Sequence, residues 1–493
     1  MHLPDDQFAD LSARIVAFAR HYWNSLESLP VRPPTSPGDV LAQLPTEAPR
    51  HGADAAEWDR VFSDLESIVL PNLTHWQSPN FFAFFPANIS GPAILGELLS
   101  ACLGVQGMMW STSPACTEVE IRILDWLVEM LGLPSSFLST NHNGGGVIQS
   151  TASESTLAAL VAARRRTRKA GVDASMMTLY ASNQAHSSIV KAAMIAGFAD
   201  DGNDRSHLRL IDVGPAFGMR CDALAAAMKE DIAAGLVPIF IAATIGTTGT
   251  TAVDPIPEIA DAIDVVAAHL PSRPWLHVDA AHSGAALICP EFRWMSAGVE
   301  RADSFCFNPH KWLLTNFDCD CFWTSDRASL IGSMSITPEY LRNEASDAGT
   351  VTDFRDWHIP LGRRFRSLKL WLVIRHYGVE GLQAFIREHV EFAAMFEALV
   401  RADPRFEIVG ERTVNLVCFR LGPVAHETST QTDARNRALI DRINATGRAY
   451  LIHTVTPPVD DQPAKFILRM SIGAVRTRQH HVRDTWSLIA GLA

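Results

Sequence analysis

Two hydrophobic rhythms run along this chain. Over residues 7–29 the apolar positions Phe8, Leu11, Ile15, Phe18, Ala19 and Tyr22 recur at helical spacing, which predicts one amphipathic helix, and the proline-rich PVRPPTSPG then breaks the pattern. A lone helix followed by extended chain has no core of its own, so its apolar face is predicted to pack on the main body or on a partner subunit. From about residue 91 to 374 the rhythm changes. Helical segments alternate with short apolar runs at 147–150, 176–182, 237–244, 275–280, 304–307 and 319–324, the order of an α/β layered sheet. After a helical 368–377 come a helix over 381–401, strand candidates at 406–409 and 415–420, a helix near 436–446, and strand candidates at 448–454 and 466–471. That order predicts a smaller α+β unit. The expected division is an N-terminal arm over 1–90, a large domain over 91–375 and a small C-terminal domain over 376–493, with no internal repeat and no low-complexity tract.

Length agrees with this division, since 493 residues exceed what one hydrophobic core usually supports. Charge narrows the partners. Lys and Arg number 42 against 54 Asp and Glu, a formal net charge of −12, and the one basic run, RRRTRK at 164–169, closes an alanine-rich helical stretch. Cations there meet a helix C-terminus favourably, which accounts for the run without a ligand and leaves nucleic acid unsupported as a partner. Eight cysteines without framework spacing, behind an acidic N-terminus MHLPDDQF that is no secretory leader, predict reduced thiols in a cytoplasmic protein. Cys319 and Cys321 alternate in DCDCFW, as in a strand with both sulfurs on one face. The longest apolar runs, such as 237–245, are too short to cross a bilayer.

Candidate chemistry centres on Asp279, in WLHVDAAHSG, and Lys311, in DSFCFNPHKW, each closing an apolar run and lying 32 residues apart. A lysine buried this way loses pKa and becomes a nucleophile, and a buried carboxylate needs a partner. An aldehyde cofactor such as pyridoxal phosphate uses both: an amine to hold it, and an anion opposite its pyridine nitrogen. Surface lysines and strand-end aspartates are common, so the apolar surroundings carry the argument. Upstream, NHNGGGVIQSTASEST places Thr151, Ala152 and Ser153 at a strand-to-helix junction with Glu154 in the first turn. Free amides there suit a phosphate, while hydroxyls there also serve as ordinary N-caps. The spacing is neither a Walker loop nor a dinucleotide fingerprint. His186 and Thr244 each end a strand and are placed to converge on a ring, although a lone histidine at a strand end is commonly a hydrogen-bonded loop residue. His480 and His481 read as solvated, and without HExxH or paired CxxC no metal is expected. Residues 331–350 have the composition of a lid or of a plain surface loop.

SPACTEVE at 113–120, QAHSS at 184–188, HVDAA at 277–281, NPHKW at 308–312 and IPLGRRFRSLKLW at 359–371 resemble the group II pyridoxal-phosphate decarboxylases, in particular the aromatic L-amino acid decarboxylases, from about residue 4 to 480. The resemblance implies fold type I, the aspartate-aminotransferase architecture: a mainly parallel seven-stranded sheet, an exchanged N-terminal arm, a small α+β domain, and a homodimer whose active sites use both subunits. It implies that Lys311 holds the cofactor, Asp279 pairs with the pyridine nitrogen, His186 stacks on the ring and Thr244 lies near its edge. Ala152, Ser153 and Asn308 would hold the phosphate, with Thr151 and Ala281 alongside, and His310 would lie beside the lysine. Tyr340, in SMSITPEYLRN, matches a loop proton donor; relatives with phenylalanine there make aldehydes, so Tyr340 favours the amine product.

For the substrate, PNFFAFFPANISGP at 79–92 resembles the family's pocket wall, with Phe84 where tyrosine is frequent and Ala87 where a hydroxyl residue is frequent. With Trp76, with Met108 and Trp110 reaching in from the second subunit, and with Gly362 leaving room for an indole, an apolar side chain is better served than a distal carboxylate. Aromatic amino acids are expected, tryptophan ahead of phenylalanine, tyrosine and DOPA. The alternatives are oxidative deamination to an aldehyde, an acidic substrate such as glutamate, or a scaffold without cofactor.

Overall fold

The computed structural model describes residues 2–336 and 350–493. Its large sheet has seven strands, β1 (Gly145–Gln149), β2 (Met177–Ser182), β3 (Leu208–Ile211), β4 (Val237–Thr244), β5 (Trp275–Asp279), β6 (Ser304–Phe307) and β7 (Asp320–Thr324), in the order β1-β7-β6-β5-β4-β2-β3. β7 runs antiparallel to both its neighbours; the other pairings are parallel. Every residue of β2, β5, β6 and β7 is buried, as expected where helices cover both faces, and this is why those strands read as unbroken apolar runs. β3 was not predicted. It has four residues, its two central ones only half-buried at the sheet edge, so it leaves no apolar run to detect. On one face the helix Ala152–Lys169 presents Ala158, Ala159, Ala162 and Ala163, small residues that let it lie close to the strands. On the other, the helices Pro114–Leu131 and Ile256–Ala267 contribute Ile123, Leu127, Ile259 and Ile263 to the main core.

A second, antiparallel sheet of four strands, β8 (Phe406–Ile408), β9 (Leu416–Leu421), β10 (Ile452–Val455) and β11 (Phe466–Ser471), is ordered β10-β11-β9-β8. Phe396, Leu439 and Ile489, from three helices, close its core. The two helices predicted over 368–377 and 381–401 form one segment, Arg366–Ala402, interrupted at Gly378, whose φ of 62° and ψ of 176° an L-residue would adopt only under strain. Where this segment crosses the helix Gly91–Leu103, a Cβ on Gly96 would lie 2.5 Å from the Lys369 Cα, so only glycine allows the approach.

The first helix is Asp5–Ser25. Leu11 is buried and the Tyr22 hydroxyl meets His75 Nδ1 at 3.1 Å, but Phe8 and Ile15 stay exposed. One expectation is corrected here: His480 is exposed as read, whereas His481 is buried, its Nδ1 accepting the Arg478 N–H at 2.9 Å as it caps the last helix. No helix among the described residues is long and apolar enough to cross a membrane.

Candidate active site

Register brings the candidate residues to one edge of the large sheet. Thr244 ends β4 directly opposite Asp279, which ends β5; Asp279 in turn faces Cys306 of β6, three residues before the short helix Pro309–Trp312 that carries Lys311. Strand C-termini in open α/β sheets point at such a crevice. The turns interlock. Ala281 N–H donates to Asp279 Oδ1 at 2.9 Å, Asn308 N–H donates to the Ala281 carbonyl at 3.0 Å, and Ala152 N–H donates to the Asn308 side-chain oxygen at 3.2 Å. One chain of bonds thus links the Asp279 carboxylate to the first turn of the Ala152–Lys169 helix. At that turn the side chain of the N-cap Thr151 makes no capping hydrogen bond, and Ser153 is exposed. The ordinary-cap reading of Thr151 does not describe what its hydroxyl does here. Ser150 instead is tied through N–H and hydroxyl to Glu154, at 2.9 and 2.5 Å.

Burial pushes the Lys311 amine below the ordinary lysine range, while the charges of Asp279 and Asp320 oppose the shift. No ion pair within 4.0 Å joins Lys311 to either acid. His186 lies within the field of both Asp279 and Lys311, with burial pushing its pKa down and Nδ1 accepting the Ser188 N–H at 3.1 Å; its ring stays accessible. His310 is buried and held neutral, pushed down to about 3, with Nδ1 against the Cys319 backbone, whose N–H lies at 2.9 Å. That nitrogen is therefore occupied by the entry to β7.

The apolar wall divides differently from the expectation. Phe84 adopts a left-handed φ of 53°, which reverses the facing of the chain. It is 45% exposed and stacks on Trp76 at 5.5 Å, edge-on to Tyr450, while the unpredicted Phe85 is 8% exposed and turns inward. The Lys311 amine lies 5.6 Å from the Phe85 ring centre, and His282 stacks on its ring at 3.8 Å. Ala87 is half-buried, its carbonyl accepting from Gln77. Met108, Trp110 and Gly362 are held by another set of contacts: the Met108 carbonyl accepts from Arg355 N–H, Trp110 bonds Asp353 and Glu118, and Gly362 adjoins Gln106. These contacts do not join them to Lys311 within one chain. Tyr340 lies outside the described residues.

Several site residues left no sequence signal. Asp254 accepts N–H bonds from Thr244 and Met219 at 2.8 and 2.7 Å and is pushed up to about 6 by burial. Asp320 is buried beneath the Ala152–Lys169 helix, accepts the Ser155 hydroxyl, and is raised well above the carboxylate range by burial. Arg469 reaches from β11 to donate to the Gly249 and Thr248 carbonyls, its guanidinium 5.3 Å from the Phe85 ring. A half-buried amine whose pKa desolvation lowers, a carboxylate that attracts it without pairing, and an uncapped helix start tied to both make a donor set that suits an aldehyde carrying a phosphate.

Residues 37–422 match the family described as the pyridoxal-dependent decarboxylase conserved domain. Tryptophan decarboxylase 2 of Oryza sativa subsp. japonica is 45% identical, the match covering 98% of this chain and 94% of that protein. Phenylacetaldehyde synthase of Arabidopsis thaliana is 44% identical, covering 99% and 96%. The crystal structure of Oryza sativa TDC with PLP and tryptamine matches with a TM-score of 0.93 at 44% identity, covering all of this chain and 98% of that one. Matched over most of its length and built on the same fold-type I sheet, the chain belongs to the pyridoxal-dependent decarboxylase family and is a carboxy-lyase whose cofactor is pyridoxal phosphate.

Proposed function

We propose that this enzyme decarboxylates aromatic L-amino acids, tryptophan foremost, to the arylalkylamine and CO₂. The observation that carries the reading is the wall around Lys311. Phe85 flanks the amine, and Arg469, the cation over Phe85, is engaged with two backbone carbonyls. A distal carboxylate would have no free counter-ion in that wall, whereas an indole would gain apolar contact. The named activities of the relatives support the same class.

In this reading pyridoxal phosphate, when bound, supplies an electron sink for the bond to the departing carboxylate. The chain's residues do the rest. Lys311, its pKa lowered by burial, would hold the cofactor through its amine. Asp279, fixed by the Ala281 N–H, keeps a proton on the pyridine nitrogen. The helix start at Thr151, Ala152 and Ser153, with Asn308, would hold the phosphate; His186, Thr244 and Ala281 would hold the pyridine end, and His310 orients the Lys311 turn. Tyr340 delivers a proton to the substrate α-carbon. The chain works as a homodimer: Phe8, Ile15 and Val16 on the first helix and Leu95, Leu98 and Leu99 on Gly91–Leu103 are exposed apolar groups that a second subunit would cover, bringing its Met108, Trp110 and Gly362 to the Lys311 site. Eight free cysteines support a reducing, cytoplasmic compartment.

The test is to mix the holoenzyme with each of the twenty amino acids and measure CO₂, amine, aldehyde, ammonia and hydrogen peroxide. Tryptophan is expected to give the fastest CO₂ release with one amine per CO₂. Glutamate or cysteine sulfinate outcompeting every aromatic substrate overturns the substrate class. Aldehyde with peroxide and ammonia in place of amine moves the enzyme to the second reading, which the 44% identity to an aldehyde synthase favours.

A further inference from the structure

The basic run 164–169 does more than close a helix. Its last-turn members Arg166, Arg168 and Lys169 complement the C-terminal carbonyls, and Arg166 is neutralised by Asp303 at 2.6 Å. Arg164 precedes that last turn and donates to the Ala196 carbonyl at 2.9 Å, at the end of the helix Ser188–Ile195, which leaves Arg165 in need of another explanation. With Arg168 and Lys169, Arg164 and Arg165 line a cavity of about 620 Å³ that also touches the helices Ser188–Ile195 and Arg327–Met334. Among the described residues lining it there is no carboxylate, and Val161, Ile195 and Met334 supply an apolar floor.

Two residues that line this cavity each carry a buried nitrogen without a hydrogen-bond partner among the described residues. The Arg165 guanidinium lies over Gly332, where a Cβ would come within 2.4 Å of Nε; that Nε is buried without a partner. His358 is 3% exposed, lines the cavity, and its Nε2 is likewise unpartnered. Burial, with Arg363 and Arg366 adding positive charge nearby, pushes His358 down to about 3, so it stands there as a neutral donor or acceptor. Buried polar nitrogens without partners are costly and are ordinarily satisfied by a ligand or water. Four cations, no acid among the described lining and an apolar floor define the ligand that this cavity suits.

We propose that this cavity binds a small soluble organic anion, an apolar body ending in a carboxylate or phosphate. None of the residues of the proposed phosphate-binding turn at Ala152 lines it, and its first cation, Arg164, stands about 18 Å from Ala152 along the same helix at 1.5 Å per residue. A cavity of this size lies within the range of ordinary ligand pockets, about 300–1,000 Å³.

Titration calorimetry of the holoenzyme with octanoate, octyl phosphate and octanol tests this. Both anions are expected to bind once per chain, at least tenfold tighter than octanol, and to be unaffected by saturating tryptophan. Arg168→Gln/Lys169→Gln, at exposed positions that leave the fold intact, and Arg165→Gln are each expected to weaken anion binding at least tenfold with kcat/KM for decarboxylation unchanged. Octanol binding as tightly as the anions, displacement by tryptophan, wild-type affinity in both variants, or no binding at millimolar anion overturns the proposal. So does protein that pellets with phosphatidylglycerol vesicles yet takes up neither soluble anion.

Discussion

Beside strand β1, Glu120 and Arg363 are locked together: Arg363 donates to both carboxylate oxygens at 2.9 and 2.7 Å and to the Ile148 carbonyl at 2.7 Å, while Glu120 accepts the Ile148 N–H at 2.8 Å. Beyond strands β5 and β6 of the same sheet, buried Asp279 and half-buried Lys311 attract one another, yet form no ion pair. The first pair has both carboxylate oxygens and both terminal guanidinium nitrogens bonded within the protein, leaving only Arg363 Nε without a partner among the described residues, and it holds an edge strand to a helix and to the segment after residue 350. The second keeps its capacity open at a cost in stability, as groups awaiting a cofactor do.

Removing the open pair should therefore abolish activity and spare the fold. Lys311→Ala is expected to reduce decarboxylation to background and to abolish the visible absorbance band formed with pyridoxal phosphate. The melting temperature of the cofactor-free protein should not fall, since a desolvated amine has been removed. Asp279→Asn is expected to retain the band and lose about 10³-fold in kcat, the order of one preorganised electrostatic partner. A melting temperature that collapses in Lys311→Ala, or an Asp279→Asn enzyme of full activity, would erase the distinction between the two pairs.

The closed pair should behave in reverse. Glu120→Ala or Arg363→Ala leaves a buried charge alone and is expected to cost about 3–5 kcal/mol in urea unfolding. Glu120→Leu combined with Arg363→Met should recover most of that loss, because neither charge is then stranded. A double variant as unstable as the singles would assign Arg363 a further partner beyond Glu120 and Ile148.

The two pairs also differed in how well they could be read before folding. Asp279 and Lys311 each interrupt an apolar run, and a charge in such a run is visible at once. Glu120 lies on an amphipathic helix and Arg363 in a basic stretch, where each resembles a solvated residue; only the tertiary fold joins positions 243 apart. The α/β alternation was legible wherever strands are buried on both faces, and lost at β3 where they are not. Phe84 and Phe85 exchanged their expected places because of one left-handed φ, a backbone fact that hydrophobic pattern does not encode. The resemblance to known decarboxylases, rather than spacing, singled out Asn308, whose side chain bridges the helix start to the lysine turn.

Asp254 sharpens the comparison as a third case, a buried acid answered by no cation and only by the Met219 and Thr244 N–H groups. Burial raises it from 3.8 to about 6, the backbone bonds opposing. Below about pH 4 folded and unfolded chains both carry the proton, and its contribution to stability is fully present. As pH rises through 6 the unfolded chain has already ionised while the folded one must give up its proton in a buried place, so stability is lost across that window and levels off above it. At about 1.4 kcal/mol per unit the loss is about 3 kcal/mol. Asp254→Asn cannot ionise and keeps an oxygen to accept one of the two bonds. Its stability relative to the native chain should rise by about that amount between pH 4 and 6 in paired urea titrations, where all other titrating groups cancel. A difference that stays flat would mean that two backbone N–H groups suffice to keep a buried carboxylate charged, and that Asp254 belongs with the closed pair rather than the open one.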